Sequence, residues 1–102
     1  MPIKGYIETR KVFIDDKELT PYASQEVYNH SPDGFAWGYG GSGPAQLALA
    51  ILLKLIPLEE AERLHQDFKW DIIAALPQTD FELDIEIIRL WIVKHKEKNE
   101  KE

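Results

Sequence analysis

The feature that most constrains the fold is a glycine-rich segment followed directly by an apolar one. Four of the six residues from Gly38 to Gly43 are glycines. Pro44 comes next and suits the first turn of a helix, because its φ is already helical and its missing N–H has no intrahelical partner there. Residues 45–53, AQLALAILL, are apolar almost all round, which is typical of a helix covered on several sides. We therefore predict a central helix from about Pro44 to Leu55, ended by Pro57.

The segments before this helix predict β-structure. From Gly5 to Asp15, β-branched and aromatic residues alternate roughly, and Asp15-Asp16-Lys17 is a turn signal, so a hairpin is expected. Ser31-Pro32-Asp33-Gly34 suits a type I turn. Phe35 to Trp37 is predicted as a further short strand that leads into the glycines.

Two more helices are predicted after Pro57. The first begins at Leu58, closes at Pro77 and has an apolar stripe made of Ala61, Leu64, Phe68, Ile72 and Ala75. Phe81 to Leu83 is a candidate edge strand, and Asp84 is a good N-cap for a last helix. The predicted inner face of that helix is Ile85, Ile88, Trp91 and Ile92. The fold class expected is α+β, with a small N-terminal antiparallel hairpin or sheet packed on three helices in one domain, 1–102, whose residues 94–102 fray.

The composition argues against several classes of function. The 18 acidic residues outnumber the 12 basic ones, giving a formal net charge of −6. That balance argues against binding to duplex DNA, where affinity comes mainly from Lys and Arg neutralising phosphates. No cysteine is present, so thiolate chemistry and disulfides are excluded. The longest apolar run, Leu47 to Leu53, is far shorter than the ~20 residues that cross a bilayer, so we expect a cytoplasmic protein without membrane contact. No metal or cofactor is predicted.

The glycine segment also carries the main binding prediction. Between Val27 and Leu53 the only formal charge is Asp33, so this stretch is expected to be buried or to bind something. Gly38 to Gly43 fits G-x-G-x-x-G, but the acid that a dinucleotide site needs about 20 residues later would lie inside a helix. The dinucleotide interpretation therefore fails, and no Gly-Lys-Ser/Thr follows to make a nucleotide-binding P-loop.

The residues at this point still predict a less specific anion site. The free amides expected at Ala45, Gln46 and Leu47, with the helix dipole behind them, favour a phosphate group, and aromatic rings nearby favour a flat ligand. The predicted ligand-binding residues are Trp37, Tyr39, Gly40, Gly41, Ser42, Gly43 and Gln46. The structural alternative stays open: the glycines turn the chain sharply into the helix, Ser42 caps it, and Trp37 belongs to the core.

Catalytic patterns are weaker than this binding pattern. His30 could meet Ser42 or Asp33 and so give a nucleophile and a base, but nothing in the sequence fixes that geometry. Glu62 and His65 have the Glu-x-x-His spacing of di-iron sites, which need two copies of the motif and further glutamates. A solvated helix face explains this single copy, so a non-enzymatic role is favoured and no catalytic residue is assigned.

The stretch from Ser31 to Leu52, SPDGFAWGYGGSGPAQLALAIL, resembles the signature of a small uncharacterised domain family found in bacteria, archaea, phages and plasmids. The similarity continues through Phe68-Lys69, Leu76-Pro77 and the helix that carries Trp91. The family has no established activity, so the resemblance supplies no catalytic residue. It implies a mobile-element setting and, through it, an accessory or host-defence-related role.

Two functions from different classes follow. The first is a non-enzymatic binding module that uses the glycine-rich loop and the helix start, with a nucleotide or another anionic small molecule as ligand. The second is a protein-interaction or homo-oligomeric module without a small-molecule ligand.

Overall fold

The computed structural model describes residues 1–100, which form an antiparallel sheet and four helices. The strands are β1 (Pro2–Tyr6), β2 (Lys11–Ile14), β3 (Lys17–Leu19) and β4 (Phe81–Asp84), in the order β3-β2-β1-β4. The helices are α1 (Tyr22–Val27), α2 (Ser42–Leu53), α3 (Leu58–Phe68) and α4 (Ile85–Glu100), and a π-helical turn, Lys69–Ile73, extends α3. The predicted α+β class with an N-terminal antiparallel sheet is confirmed.

The N-terminal sheet contains one more turn than predicted. The expected single strand from Gly5 to Asp15 is divided into β1 and β2 by a turn over residues 7–10, in which the Arg10 amide donates to the Tyr6 carbonyl at 2.8 Å. The turn between β2 and β3 is where the sequence indicated it. Asp15 and Asp16 both have positive φ, 49° and 67°, as the tightest hairpin turns require.

The predicted strand from Phe35 to Trp37 is wrong. All three of its residues are buried in succession, whereas a strand on a sheet with one solvated face alternates between buried and exposed positions. The place beside β1 is taken by β4, with Ile3 opposite Leu83, so the candidate edge strand is confirmed.

Helix α2 is central, as predicted, with every residue from Gly43 to Leu52 buried. It begins at Ser42 and ends at Leu53, two residues earlier at each end than expected. Gly41, in extended backbone, precedes the first turn, and its carbonyl accepts from the Ala45 amide at 3.1 Å. No side-chain hydrogen bond caps this end, so the expectation that Ser42 caps the helix is wrong.

The stripe predicted for the second helix is correct only up to Phe68. In the π turn the Ala74 amide donates to the Lys69 carbonyl, five residues back, at 2.8 Å. The wider turn rotates the residues after it, so Ile73 is fully buried, Ile72 is only half-buried and Ala75 is exposed. Ile72 and Ala75 were therefore wrongly assigned to the inner stripe.

Helix α4 starts and packs as predicted. The Asp84 carboxylate accepts from the Glu86 amide at 2.9 Å, as an N-cap does, and the four predicted inner residues are buried. The segment predicted to fray begins at residue 94, and the structure describes it as helix up to Glu100. Residues 101 and 102 lie outside the described residues.

Short helix α1 was not predicted, because a six-residue helix has little room for a repeating apolar pattern. Its only buried residue is Ser24, which faces α2. Among residues 1–100, no helix combines the length and the apolar character that a membrane crossing requires.

Candidate functional site

Trp37, the first of the predicted ligand-binding residues, lies in the core. Its side chain is fully buried, and its indole Nε1 donates to the Thr79 carbonyl at 2.8 Å. The ring meets Phe81 edge to face, with 4.8 Å between centroids. Trp37 thus joins the glycine-rich loop to the turn before β4, and its stacking face is occupied by the protein itself.

Gln46 is also interior, and its amide group is fully engaged. The side-chain oxygen accepts from the Ser31 amide at 2.9 Å, and the side-chain nitrogen donates to the Ser24 hydroxyl at 2.9 Å and the Tyr28 carbonyl at 3.1 Å. These bonds hold α1 and the loop after it, residues 28–31, against α2. They also position His30, which lies in that loop.

The other predicted residues are nearer the surface. Tyr39 is 46% exposed and Ser42 is exposed, whereas Gly40 and Gly41 are partly covered and Gly43 is buried. Gly38 has a φ of +85°, which a side chain would strain. At Gly40 the indole of Trp70 lies directly against the backbone, leaving no room for a Cβ. These two glycines are therefore explained by a turn and by a close aromatic contact.

The amides expected to be free at the start of α2 are used within the helix. The helix begins at Ser42, so the Ala45 amide donates to the Gly41 carbonyl, and the amides of Gln46 and Leu47 belong to the regular helical ladder. The amides of Gly41, Ser42 and Gly43 remain at this end of the helix, since Pro44 has none. The predicted anion site at Ala45, Gln46 and Leu47 is thus corrected.

A different group of polar residues comes together beside this loop. His30 and His65 approach through their Nε2 atoms, which are 2.9 Å apart. The ring of Tyr28 stacks on His30 with 4.2 Å between centroids. His65 is only 5% exposed and is presented by α3. His30 meets His65 and, among the described residues, forms no side-chain hydrogen bond with Ser42 or Asp33.

The hydrogen bonds assign the protons of this pair. His65 Nδ1 lies 2.6 Å from the Glu62 carbonyl, which can only accept, so this nitrogen carries a proton. Nε2 of neutral His65 is then an acceptor, and the Nε2–H of His30 donates to it. Glu62 meets His65 through its backbone and not through its carboxylate, so the Glu-x-x-His spacing does not form a ligand pair here.

Lys69 completes the group, which we call the basic cluster: His30, His65 and Lys69. Its side chain is only 7% exposed, and its Nζ lies 4.3 Å from the centroid of the Trp70 ring. In the part of the chain that the structure describes, no carboxylate is within ion-pair distance of any member of the cluster. Because Trp70 also touches Gly40, the cluster adjoins the glycine-rich loop.

The electrostatics of the cluster are unfavourable to further positive charge. Partial burial, and then the neighbouring His65 and Lys69, hold the pKa of His30 below its ordinary value. The cluster therefore disfavours the protonated form of His30. Within residues 1–96, no three His, Asp or Glu side chains gather in a way that could hold a metal ion.

The sequence contains one signal for this cluster, a four-residue spacing on α3. Ala61, His65 and Lys69 are spaced by four residues, so they follow the same side of α3 as its apolar stripe. His65 and Lys69 were therefore candidates for buried polar residues. Their meeting with His30 had no signal, because 35 residues separate the two histidines.

The chain belongs to a family of unknown function, DUF6166, whose profile matches residues 4–94. The match includes the whole basic cluster and the glycine-rich loop. A comparison with curated proteins found no match, and a comparison with solved structures found none either. The mobile-element setting expected from the resemblance stays a prediction.

Proposed function

We propose that this protein is a small binding module that holds a phosphate-bearing small molecule at the basic cluster, beside the glycine-rich loop. The observation that carries the proposal is Lys69, which is 7% exposed and has no carboxylate partner among the described residues. Two histidines lie close enough for Lys69 to affect the pKa of one of them. Three side chains able to carry positive charge thus converge without a negative one.

The energetics of burial support an anionic ligand. The Nζ of Lys69 still reaches solvent, but the side chain is largely covered, and any hydration that an ammonium group loses is costly unless an opposite charge or hydrogen-bond acceptors replace it. A phosphate group supplies both, because its oxygens accept several charge-assisted hydrogen bonds. It also favours the protonated form of His30, whose pKa is otherwise lowered, so binding and proton uptake are coupled.

Exposed aromatic rings around the cluster favour a nucleotide over a bare phosphate. Tyr28 is 54% exposed, Trp70 is 59% exposed and Tyr39, in the glycine-rich loop, is 46% exposed. Such rings offer flat faces on which a base can stack. The net charge of −6 repels long polyanions, so the ligand class is a small molecule and not a nucleic acid duplex.

Titration tests the proposal. The purified chain is titrated with inorganic phosphate, a nucleoside monophosphate and the matching nucleoside, with chloride at equal ionic strength as reference. We expect the Trp70 fluorescence and the thermal midpoint to change with phosphate, to change more with the nucleotide, and to respond little to the nucleoside. A Trp70→Phe variant identifies which part of the fluorescence comes from this residue.

The matched variants are Lys69→Met and Lys54→Met. Methionine keeps the length and the apolar stem of lysine but removes the charge, so Lys69→Met should fold and lose anion binding. Lys54 is exposed at the end of α2, so Lys54→Met should bind like the wild type. Equal responses of the two variants, or no response of the wild-type chain to any anion, would refute the proposal.

A further inference from the structure

Helix α4 carries a second apolar surface that faces away from the core. Ile87 is 51% exposed, Leu90 is 63% exposed and Val93 is 52% exposed. Their spacing of three residues places them in one stripe on the side opposite the buried residues of the same helix. We call these three residues the outer stripe. They are exposed to solvent in the described part of the structure.

Two of the charges beside the outer stripe are arranged symmetrically in sequence, whereas the exposed Arg89 has no counterpart, since Trp91 stands equally far after Leu90. Ile87 and Val93 lie three residues before and after Leu90, and Glu86 and Lys94 lie four residues before and after it. A two-fold axis at Leu90 between antiparallel helices therefore places an apolar residue opposite an apolar residue, and an acidic residue opposite a basic one. A surface of this kind is complementary to itself, as an interface with two-fold symmetry must be.

We propose that a second copy of the chain docks on the outer stripe, so that two α4 helices pack antiparallel across a two-fold axis at Leu90. Ile87 then lies against the partner's Val93, and Glu86 lies opposite the partner's Lys94. A parallel arrangement would place Glu86 opposite the partner's Glu86 and is disfavoured. The charge pattern thus selects both the occupant and its direction.

The size of the contact predicts a weak and reversible dimer. Helix α4 has 16 residues, or a length of about 24 Å at 1.5 Å per residue. A single helix pair of this length buries less than the roughly 1,200 Å² of total surface that stable interfaces reach. Glu86 contacts Arg89 of its own helix at 3.6 Å, but both side chains are exposed, so this ion pair holds Glu86 only loosely.

Sedimentation equilibrium over a wide range of protein concentration tests the proposal. The wild-type chain should shift from monomer to dimer as concentration rises. Leu90→Glu should lower the association constant by at least about tenfold, because it brings two carboxylates together at the axis. The control is Glu62→Ala, on an exposed part of α3, which should leave association unchanged.

Charge reversal gives the sharper test. Glu86→Lys and Lys94→Glu each place like charges opposite one another in the dimer, so each variant alone should associate less than the wild type. An equimolar mixture of the two restores opposite charges at both positions and should associate again. Thermal denaturation of each variant verifies that it is folded.

Each outcome is decisive. A wild-type chain that stays monomeric at the highest attainable concentration overturns the proposal, and so does a mixture that associates no better than its components. Lys69→Met should dimerise like the wild type, so failure of this inference can be distinguished from failure of the proposed ligand site.

Discussion

At the scale of single residues, two interior polar side chains differ in how they are satisfied. Gln46 is fully buried, and its amide makes three hydrogen bonds with α1 and the loop after it. Lys69 is almost as deeply buried, yet the described residues offer it no carboxylate. A buried group with all its hydrogen bonds stabilises the fold, whereas a charge that has lost part of its hydration weakens the fold unless a ligand compensates. Gln46 therefore has a structural role, and Lys69 is the residue on which the proposed ligand site rests.

Gln46→Leu should destabilise the protein by about 2 to 4 kcal/mol, because it leaves the Ser31 amide without its acceptor and removes the bonds that Gln46 donates to the Ser24 hydroxyl and the Tyr28 carbonyl. Leucine has a similar volume, so the loss would report hydrogen bonding more than packing. Urea denaturation measures the change. Gln66→Leu, at an exposed position of α3, is the control and should change the free energy of unfolding by less than about 0.5 kcal/mol.

A His30→Gln variant should be less sensitive to acid than the wild-type chain. The pKa of His30 is below its ordinary value in the folded protein, so between the two values the unfolded chain binds more protons. The free energy of unfolding that depends on His30 therefore falls as the pH drops through about 6.5, and the loss is complete below the folded pKa.

Urea denaturation of both proteins, from neutral to mildly acidic pH and without added phosphate, measures this difference. An Asn29→Ala variant, changed at the exposed neighbouring position, should keep the slope of the wild type. Identical slopes for His30→Gln and the wild type would show that His30 is protonated equally in the folded and unfolded states.

At the scale of elements, the π turn after α3 determines what surrounds the glycine-rich loop. The extra residue in this turn rotates the residues after it about the helix axis, so that Ile73 points into the core. Trp70 then lies against Gly40, and Asp71 accepts from the Trp91 indole at 2.8 Å. A single turn therefore connects the loop, the basic cluster and α4.

Gly40→Ala should destabilise the protein by about 1 to 3 kcal/mol, because the new methyl group would overlap the Trp70 indole and force it to move. In a Trp70→Ala background the same change should cost much less. A double-mutant cycle on the free energy of unfolding measures the coupling. An equal loss of unfolding free energy in the two backgrounds would mean that the methyl group strains the loop backbone and not the contact with Trp70.

At the scale of the whole molecule, the first strand and the last strand pair with each other in one sheet. Strand β1 pairs with β2 and also with β4, so the sheet needs residues about 80 positions apart in sequence. Helix α4 then covers the core with its four inner residues, which follow β4 directly. The N-terminal sheet and the central helix therefore depend on the C-terminal segment for their completion.

A chain that ends after Gln78 should fail to fold, since it lacks β4 and the buried residues from Phe81 to Ile92. Circular dichroism should show loss of the cooperative thermal transition. A chain that ends after Lys96 keeps those buried residues and should melt cooperatively. A stable fold in the shorter chain would mean that α2 and α3 form a core on their own.

The sequence predicted the loop beside the candidate site but not the residues that form the site. The glycine-rich loop does border the cluster, through the contact of Gly40 with Trp70. Two residues chosen for ligand contact, Trp37 and Gln46, are interior, because sequence shows that a side chain is aromatic or polar but not which of its faces is covered. The pairing of His30 with His65 depends on the packing of α1, α2 and α3, and no local pattern encodes it.

The sequence by itself determined the central helix α2, the turn at Asp15-Asp16 and the start and inner face of α4. Each depends on residues within a few positions of one another, through apolar spacing, proline, backbone preference or capping. The tertiary structure alone decided the irregular path from Phe35 to Trp37, the π turn and the basic cluster. These depend on contacts between distant segments, where the free energy of burying side chains outweighs local preference.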